Sequence, residues 1–309
     1  MINVVFAAHP SRWPLYEQPL RTAFAKFGLK TQLRTDIPPA EVDYIIYAPN
    51  SPLQDFTPYT RCKAVLNLWA GVEAIVGNQT LTQPLARMVD FGLKQGMTEW
   101  VLGHVLRHHL DIDYFLARQS GDWLPKVPPL SRDRKVTVLG LGELGAAATT
   151  ALAGLGFDVT GWSRSAKAIP GLRCLHGADG LTQALSGAEI VVLLLPNTPA
   201  TQNILNGETL ALLGRGAAIL NPGRGPLIDD EALLKALADG QVGHATLDVF
   251  RTEPLPADHP YWAHPQVTVT PHIASETRPE TASEVIAENI RRGESGLPLL
   301  YLVDRSLGY

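Results

Sequence analysis

Three polar residues follow directly on apolar, β-type runs in the second half of the chain. Ala217–Asn221 leads into Pro-Gly-Arg224, His244–Val249 into Phe-Arg-Thr-Glu253, and Val267–Thr270 into Pro-His272. Open parallel sheets bind ligands beyond the carboxyl ends of their strands, so an arginine, a carboxylate and an imidazole are expected along one edge. These types suit reduction of a 2-oxo acid. Arg224 offers a flat, two-pronged cation for a substrate carboxylate. The keto oxygen gains negative charge as hydride reaches carbon, and His272 can give it a proton. Glu253 beside the imidazole would favour its protonated form and fix its orientation. Each residue alone reads as an ordinary surface residue. Their joint placement carries the inference.

A hydride needs a carrier, and the carrier's cradle is legible upstream. Lys135–Gly145 reads KVTVLGLGELG: an apolar run, Val136–Leu139, then Gly140-Leu-Gly142-Glu143-Leu144-Gly145, then the helical run Ala146–Leu155. Strand, glycine turn and helix form the context in which G-x-G-x-x-G reads as a dinucleotide site. Gly140 permits the tight turn, Gly142 lets backbone approach a pyrophosphate, and Gly145 lets the helix lie close to the strand. The helix start offers N–H groups and a positive dipole end to phosphate. An acidic residue about 20 positions on normally holds the ribose 2′-hydroxyl of NAD. Here that place carries Ser163, followed by Arg164, Ser165 and Lys167. A guanidinium between hydroxyls suits a 2′-phosphate, which an acid would repel. The expected cofactor is therefore NADPH (NADP+), with NADH the weaker alternative.

The elements that must position these groups are βαβ units. Residues 1–97 show strands at Asn3–Ala7, Lys30–Leu33, Asp43–Tyr47 and Ala64–Leu68, with a helix over Tyr16–Phe27. Leu68-Trp69-Ala70-Gly71-Val72-Glu73 is expected to open a helix. Its backbone could hold a small anion, though by itself a plain strand–helix turn explains it better. A long helix is expected over Glu99–Arg118. His104 and His108 on it have i, i+4 spacing but no third ligand, so packed histidines are expected and no metal. A proline-rich connector, Gly121–Leu130, carries Trp123, which either packs on its own domain or anchors a neighbouring subunit. From Lys135 the pattern is again βαβ, with further strands at Asp158–Gly161 and Glu189–Leu195. Helices are expected at Ala178–Leu185, Glu208–Leu212, Asp229–Ala238 and Glu280–Arg292.

The 309 residues suggest two domains. The net charge of −4 disfavours nucleic-acid or anionic-membrane partners. Cys62 and Cys174 are the only cysteines and lie far apart, which fits a reducing compartment and no zinc site. No signal peptide and no membrane-length apolar run are seen, so a cytoplasmic location is expected.

The runs LWAGVE, GLGELG, LLPNTPAT, LNPGRGPLIDDEAL, TLDVFRTEPLP and VTVTPHIAS resemble the D-isomer-specific 2-hydroxyacid dehydrogenases over essentially the whole chain. GWSRS and EPLPADHPYWAHPQVTVTPH most resemble the branch that reduces glyoxylate and hydroxypyruvate. The resemblance implies an α/β fold of two doubly wound parallel-sheet domains. One is a discontinuous, flavodoxin-like substrate domain, 1–97 plus 285–309. The other is an inserted Rossmann dinucleotide-binding domain, 98–284. It implies catalytic roles for Arg224, Glu253 and His272. It further implies that the backbone of Ala70, Gly71 and Val72 binds the substrate carboxylate. Asp248 would contact the nicotinamide carboxamide, and Leu195 and Pro196 would line the cofactor. Members form homodimers through the cofactor domains, and a tryptophan near Trp123 can reach the partner's substrate pocket. Trp69, Tyr47 and Met97 are pocket-lining candidates.

The function expected is NADPH-dependent reduction of small 2-oxo acids to (R)-2-hydroxy acids. The alternatives are bulkier acids such as phenylpyruvate, oxidation of another donor such as formate or phosphite, and a non-catalytic NAD(P)-sensing protein on the same scaffold.

Overall fold

The computed structural model describes residues 1–308. They divide into two compact units, Met1–Leu93 with the chain from Glu276 onward, and Lys94–Ser275. The sequence places the breaks at 97/98 and 284/285. The second would cut the last helix, Pro279–Glu294. That helix stays whole because Ala282, Ile286, Ala287 and Ile290 form one apolar stripe that packs in a single cluster with Tyr16, Leu20, Ala23 and Phe24.

The first unit holds β1 (Ile2–Ala7), α1 (Trp13–Lys26), β2 (Thr31–Arg34), β3 (Tyr44–Tyr47), β4 (Ala64–Asn67) and β5 (Leu85–Ala86). The strands form one parallel sheet in the order β2-β1-β3-β4-β5. Tyr44 and Ile46 join the core under α1, while Ile45 and Tyr47 join Phe56, Val65 and Ile75 on the other face. A strand buried on both sides has no polar face, which is why YIIY reads as a continuous apolar run. Glu73–Gly77 forms turns, so no helix opens after Gly71. Two residues make β5, too few to show as an alternation in sequence.

The second unit contains most of α2 (Phe91–His109), then α3 (Ile112–Leu116), β6 (Lys135–Leu139), α4 (Glu143–Gly154), β7 (Asp158–Ser163) and β8 (Arg173–His176). It continues with α5 (Gly177–Leu185), β9 (Ile190–Leu193), α6 (Gly207–Ala211), β10 (Ala217–Asn221), α7 (Asp230–Ala238), β11 (Val242–Leu247) and β12 (Val267–Val269). The seven strands are parallel in the order β12-β11-β10-β9-β6-β7-β8. After β8 the chain crosses to β9 on the other side of β6, so the switch point of the sheet lies between β6 and β9. One face packs Val136, Val138, Ile190 and Val192 against Met97, Val101 and Val105 of α2 and Leu152 of α4. The other packs Val191, Leu193 and Ile219 against Leu185, Leu210 and Leu233. Thr137 is buried in β6 and its hydroxyl donates to the Ala184 carbonyl at 2.6 Å, so the polar group is satisfied.

Two further departures from the sequence-based expectations follow. The single helix over Glu99–Arg118 is two helices, broken where Asp111 adopts a left-handed φ of 54°. It also starts earlier, where Asp90 accepts from the backbone N–H groups of Gly92 and Leu93. Strand β8 is absent from the expected set because its edge residues are half-exposed or exposed and lack an apolar alternation.

Candidate active site

The glycine turn joins β6 to α4 at the switch point. Gly140 has φ +110°, and a Cβ on it would lie 2.4 Å from the Leu194 carbonyl oxygen. A Cβ on Gly145 would lie 1.7 Å from the Gly140 carbonyl oxygen, so only glycine lets α4 start this close to the strand. Gly142 caps α4, and a Cβ there meets no protein atom within 4 Å. The first intrahelical bond runs from Ala146 N to the Gly142 carbonyl at 2.8 Å. The N–H groups before it form the open end of the helix. A closed turn beneath and clear space above Gly142 fit the pyrophosphate of a dinucleotide. Glu143 places a carboxylate beside this end, and Lys94 Nζ lies 3.3 Å from its Oε2.

Strand β7 ends at Ser163, beside the glycine turn. Ser163 is buried, and its hydroxyl donates to the Ser165 carbonyl at 2.8 Å. That hydroxyl therefore shapes the turn, whereas the sequence reading set it beside a phosphate. Arg164, Ser165 and Lys167 are exposed at the same strand end. After β9, Leu194 N donates to the Leu139 carbonyl at 2.7 Å, which holds the start of the Leu195-Pro196 turn against β6. Thr201 fastens that turn by donating to the Pro196 carbonyl at 2.6 Å.

The three strand-end residues converge. Buried Asn221 closes the turn after β10, accepting from Gly223 N at 3.1 Å and donating to the Arg224 carbonyl at 2.9 Å. Arg224 is half-buried and its Nη1 donates to the Gly223 carbonyl at 2.6 Å. Glu253 Oε1 accepts from Phe250 N at 2.8 Å, and its Oε2 lies 2.7 Å from His272 Nδ1. His272 takes a left-handed φ of 54°, and its N–H donates to the Asp248 carbonyl at 2.8 Å.

The electrostatics follow from that geometry. The Glu253 hydrogen bond raises the His272 pKa above its ordinary value, against burial and the charge of Arg224, which lower it. Burial works to raise the Glu253 carboxyl, but the bonds from His272 and Phe250 and the charge of Arg224 hold it below its ordinary range. Both shifts favour the imidazolium–carboxylate form of the pair, and the Glu253 bond occupies Nδ1 of the ring.

Asp248 is fully buried. Its Oδ1 accepts from Thr270 Oγ1 at 2.6 Å and Ile273 N at 2.9 Å, and its Oδ2 from Ala274 N at 2.9 Å. Its carboxylate thus folds the loop that carries His272. Sequence alone attached it only to the cofactor.

Other expected residues fall elsewhere. Ala70, Gly71 and Val72 lie in the first unit after β4, where Asn67 Nδ2 donates to the Trp69 and Gly71 carbonyls at 2.9 and 3.1 Å. Val72 puts its side chain into the core. Tyr47 is 2% exposed and donates to the Leu53 carbonyl, and Met97 is a core residue of the second unit. Both side chains are packed into the cores of their own units. Trp123 is 95% exposed, so it does not pack on its own domain. His108 Nε2 lies 3.0 Å from Thr246 Oγ1, and burial pushes its pKa down to about 3. Among the described residues no group of three or more His, Cys, Asp or Glu could hold a metal. Lys94 and Arg251 went unnoticed in the sequence, since Lys94 meets Glu143 across 49 residues and no local spacing marks it.

Comparison with known proteins places this arrangement. Residues 101–274 match the family described as "D-isomer specific 2-hydroxyacid dehydrogenase, NAD binding domain". The chain is 42% identical over 257 residues to glyoxylate/hydroxypyruvate reductase A of Serratia proteamaculans, covering 81% of this chain and 82% of that protein. It is 39% identical over 298 residues to the protein of the same name from Yersinia enterocolitica, covering 94% of each. Among solved structures, a D-isomer specific 2-hydroxyacid dehydrogenase from Xanthobacter autotrophicus Py2, in complex with NADPH and MES, aligns with a TM-score of 0.92. The identity is 42% over 99% of both chains. The NADPH-dependent glyoxylate/hydroxypyruvate reductase of Sinorhizobium meliloti, in complex with NADP and sulfate, aligns with a TM-score of 0.85. There the identity is 32%, over 100% of this chain and 99% of that one.

Proposed function

Because the chain belongs to the D-isomer-specific 2-hydroxyacid dehydrogenase family, we propose that it reduces glyoxylate and hydroxypyruvate with NADPH, giving the (R)-2-hydroxy acid from the chiral case. The observation that carries this is the 2.7 Å Glu253–His272 pair beside Arg224, on the same sheet edge as the glycine turn. When bound, NADPH supplies the hydride for the keto carbon. Arg224 holds the substrate carboxylate through its planar fork. His272 carries a proton on the imidazole and delivers it from Nε2 to the keto oxygen as charge develops there. Glu253 stays ionised, keeps the ring oriented through Nδ1 and favours the charged imidazole before transfer. Gly140, Gly142, Glu143, Leu144 and Gly145 cradle the pyrophosphate, with Leu195, Pro196 and Asp248 along the cofactor. Arg164 and its exposed neighbours receive the 2′-phosphate.

The same reading includes a homodimer. Trp123, Leu124, Val127 and Leu130 are exposed apolar residues in one connector, an unusual cost for a free surface. A second copy covering that connector removes it. No helix among the described residues is long and apolar enough to cross a membrane. Both cysteines are free, which suits a cytoplasmic location.

The test is a set of initial rates on glyoxylate, hydroxypyruvate and phenylpyruvate, each with NADPH and NADH. The proposal expects the two small acids with NADPH to give the largest kcat/KM. Preference for phenylpyruvate would reassign the substrate, and preference for NADH would remove the role of Arg164.

A further inference from the structure

Glu253 is partly exposed on a loop, yet both of its oxygens are placed to within hydrogen-bond distance. Its Oε1 depends on where the Phe250 N–H lies. The next residue, Arg251, ties that point down. Arg251 Nε donates to Asp230 Oδ2 at 3.0 Å, and its Nη2 donates to the Asn203 side-chain oxygen and the Ile228 carbonyl. Tyr261, 2% exposed, donates its hydroxyl to the other oxygen of Asp230 at 2.8 Å. One carboxylate is therefore gripped by residues before and after Glu253. Asp230 is the first residue of α7, whose start is capped by Asp229 accepting from Ala232 N at 3.1 Å. The anchor is a helix end rather than another loop.

A second contact fixes the same point from the substrate side. A Cβ on Gly225 would lie 2.0 Å from the Phe250 carbonyl carbon, so the Arg224 turn rests directly on the backbone that orients Glu253. We propose that Asp230, gripped by Arg251 and Tyr261, is a positioning residue that fixes the Glu253 carboxylate against His272 and so sets the alkaline limit of the reduction. This rests on the roles proposed above for Glu253 and His272. The charged groups facing His272 are Glu253, Arg224 and Asp248. Those around the brace are Asp229, Asp230 and Arg251, with the His259 ring packed on Tyr261 at 4.6 Å between centroids. Without the Arg251 cation, Asp230 and Asp229 repel each other at the start of α7, the loop loosens, and the Glu253–His272 bond lengthens.

The test compares pH profiles of kcat/KM for wild type, Arg251→Met, Tyr261→Phe and Arg251→Lys, with melting temperatures and NADPH KM alongside. In wild type the reduction weakens as pH rises through the His272 pKa. In Arg251→Met that limb moves to lower pH by about half to one unit, which costs roughly three- to tenfold in kcat/KM above the midpoint and little on the acidic plateau. Tyr261→Phe moves it the same way by less, and Arg251→Lys recovers part of the loss because a cation returns to Asp230. Lower melting temperature with the limb unmoved in both Arg251→Met and Tyr261→Phe would overturn the proposal and leave the brace a purely structural one. A wild-type limb that survives in His272→Gln would instead overturn the underlying role of His272, and the proposal with it.

Discussion

The turn after β4 and the turn after β6 begin alike, each a buried parallel strand running into residues that include glycine at the carboxyl edge of its sheet. They end differently. After β6, Gly145 lies against the Gly140 carbonyl and α4 starts at once, so unpaired N–H groups and a helix dipole face one spot. After β4, Asn67 ties up the Trp69 and Gly71 carbonyls, Val72 plugs the core, and only turns follow. A glycine turn is thus an anion cradle of full strength only where the next helix can approach. Within the second unit a further contrast holds. The cradle is made of backbone, whereas the strand ends carrying Arg224, Glu253 and His272 are made of side chains held by backbone. Changes in the first should strike cofactor binding, and changes in the second should strike rate and pH.

The largest effect expected to sharpen this contrast is at His272. His272→Gln should lower kcat/KM on glyoxylate by roughly 100- to 10,000-fold, the range for losing a general acid, with NADPH affinity nearly unchanged. A parallel collapse of NADPH affinity in fluorescence titration would dissolve the distinction between the two regions. Next come the glycines. Gly145→Ala should destabilise the apo protein and weaken NADPH by about 100-fold or more, because its methyl group would meet backbone. Gly142→Ala should leave the apo melting temperature alone and weaken NADPH by about tenfold, since its Cβ meets open space on the side proposed for the pyrophosphate. Equal melting losses in both would show that Gly142 faces protein.

A smaller effect concerns pH. His272 has a raised pKa in the folded protein, so the proton it would donate in the proposed reduction is present at low pH and lost as pH rises through that value. Glu253→Gln removes the first cause of the shift. The alkaline limb of kcat/KM should then move to lower pH, and an unmoved limb would contradict the pairing. The smallest effect lies at the end of β7. Arg164→Ala should raise the NADPH KM by about tenfold and leave the NADH KM unchanged, as expected for one lost charge-assisted contact to the 2′-phosphate. Equal changes for both cofactors would place the 2′-phosphate elsewhere.

Sequence alone determined what was local. The steric demand at Gly145 involves the Gly140 carbonyl only five residues back, and the order strand, turn, polar residue is written in consecutive letters, so the alternation of strands and helices, the glycine turn and the strand-end residues were legible. The tertiary structure decided what depends on chain segments far apart meeting. Glu253 and His272 pair across 19 residues, and Asp248 folds a loop up to 26 residues away. Arg251 grips Asp230 across 21, and the last helix joins α1 of the first unit rather than being cut at 284/285. It also decided that Trp123 lies in the open and Tyr47 in the core, because burial belongs to the packed neighbours of a side chain and not to the residue type.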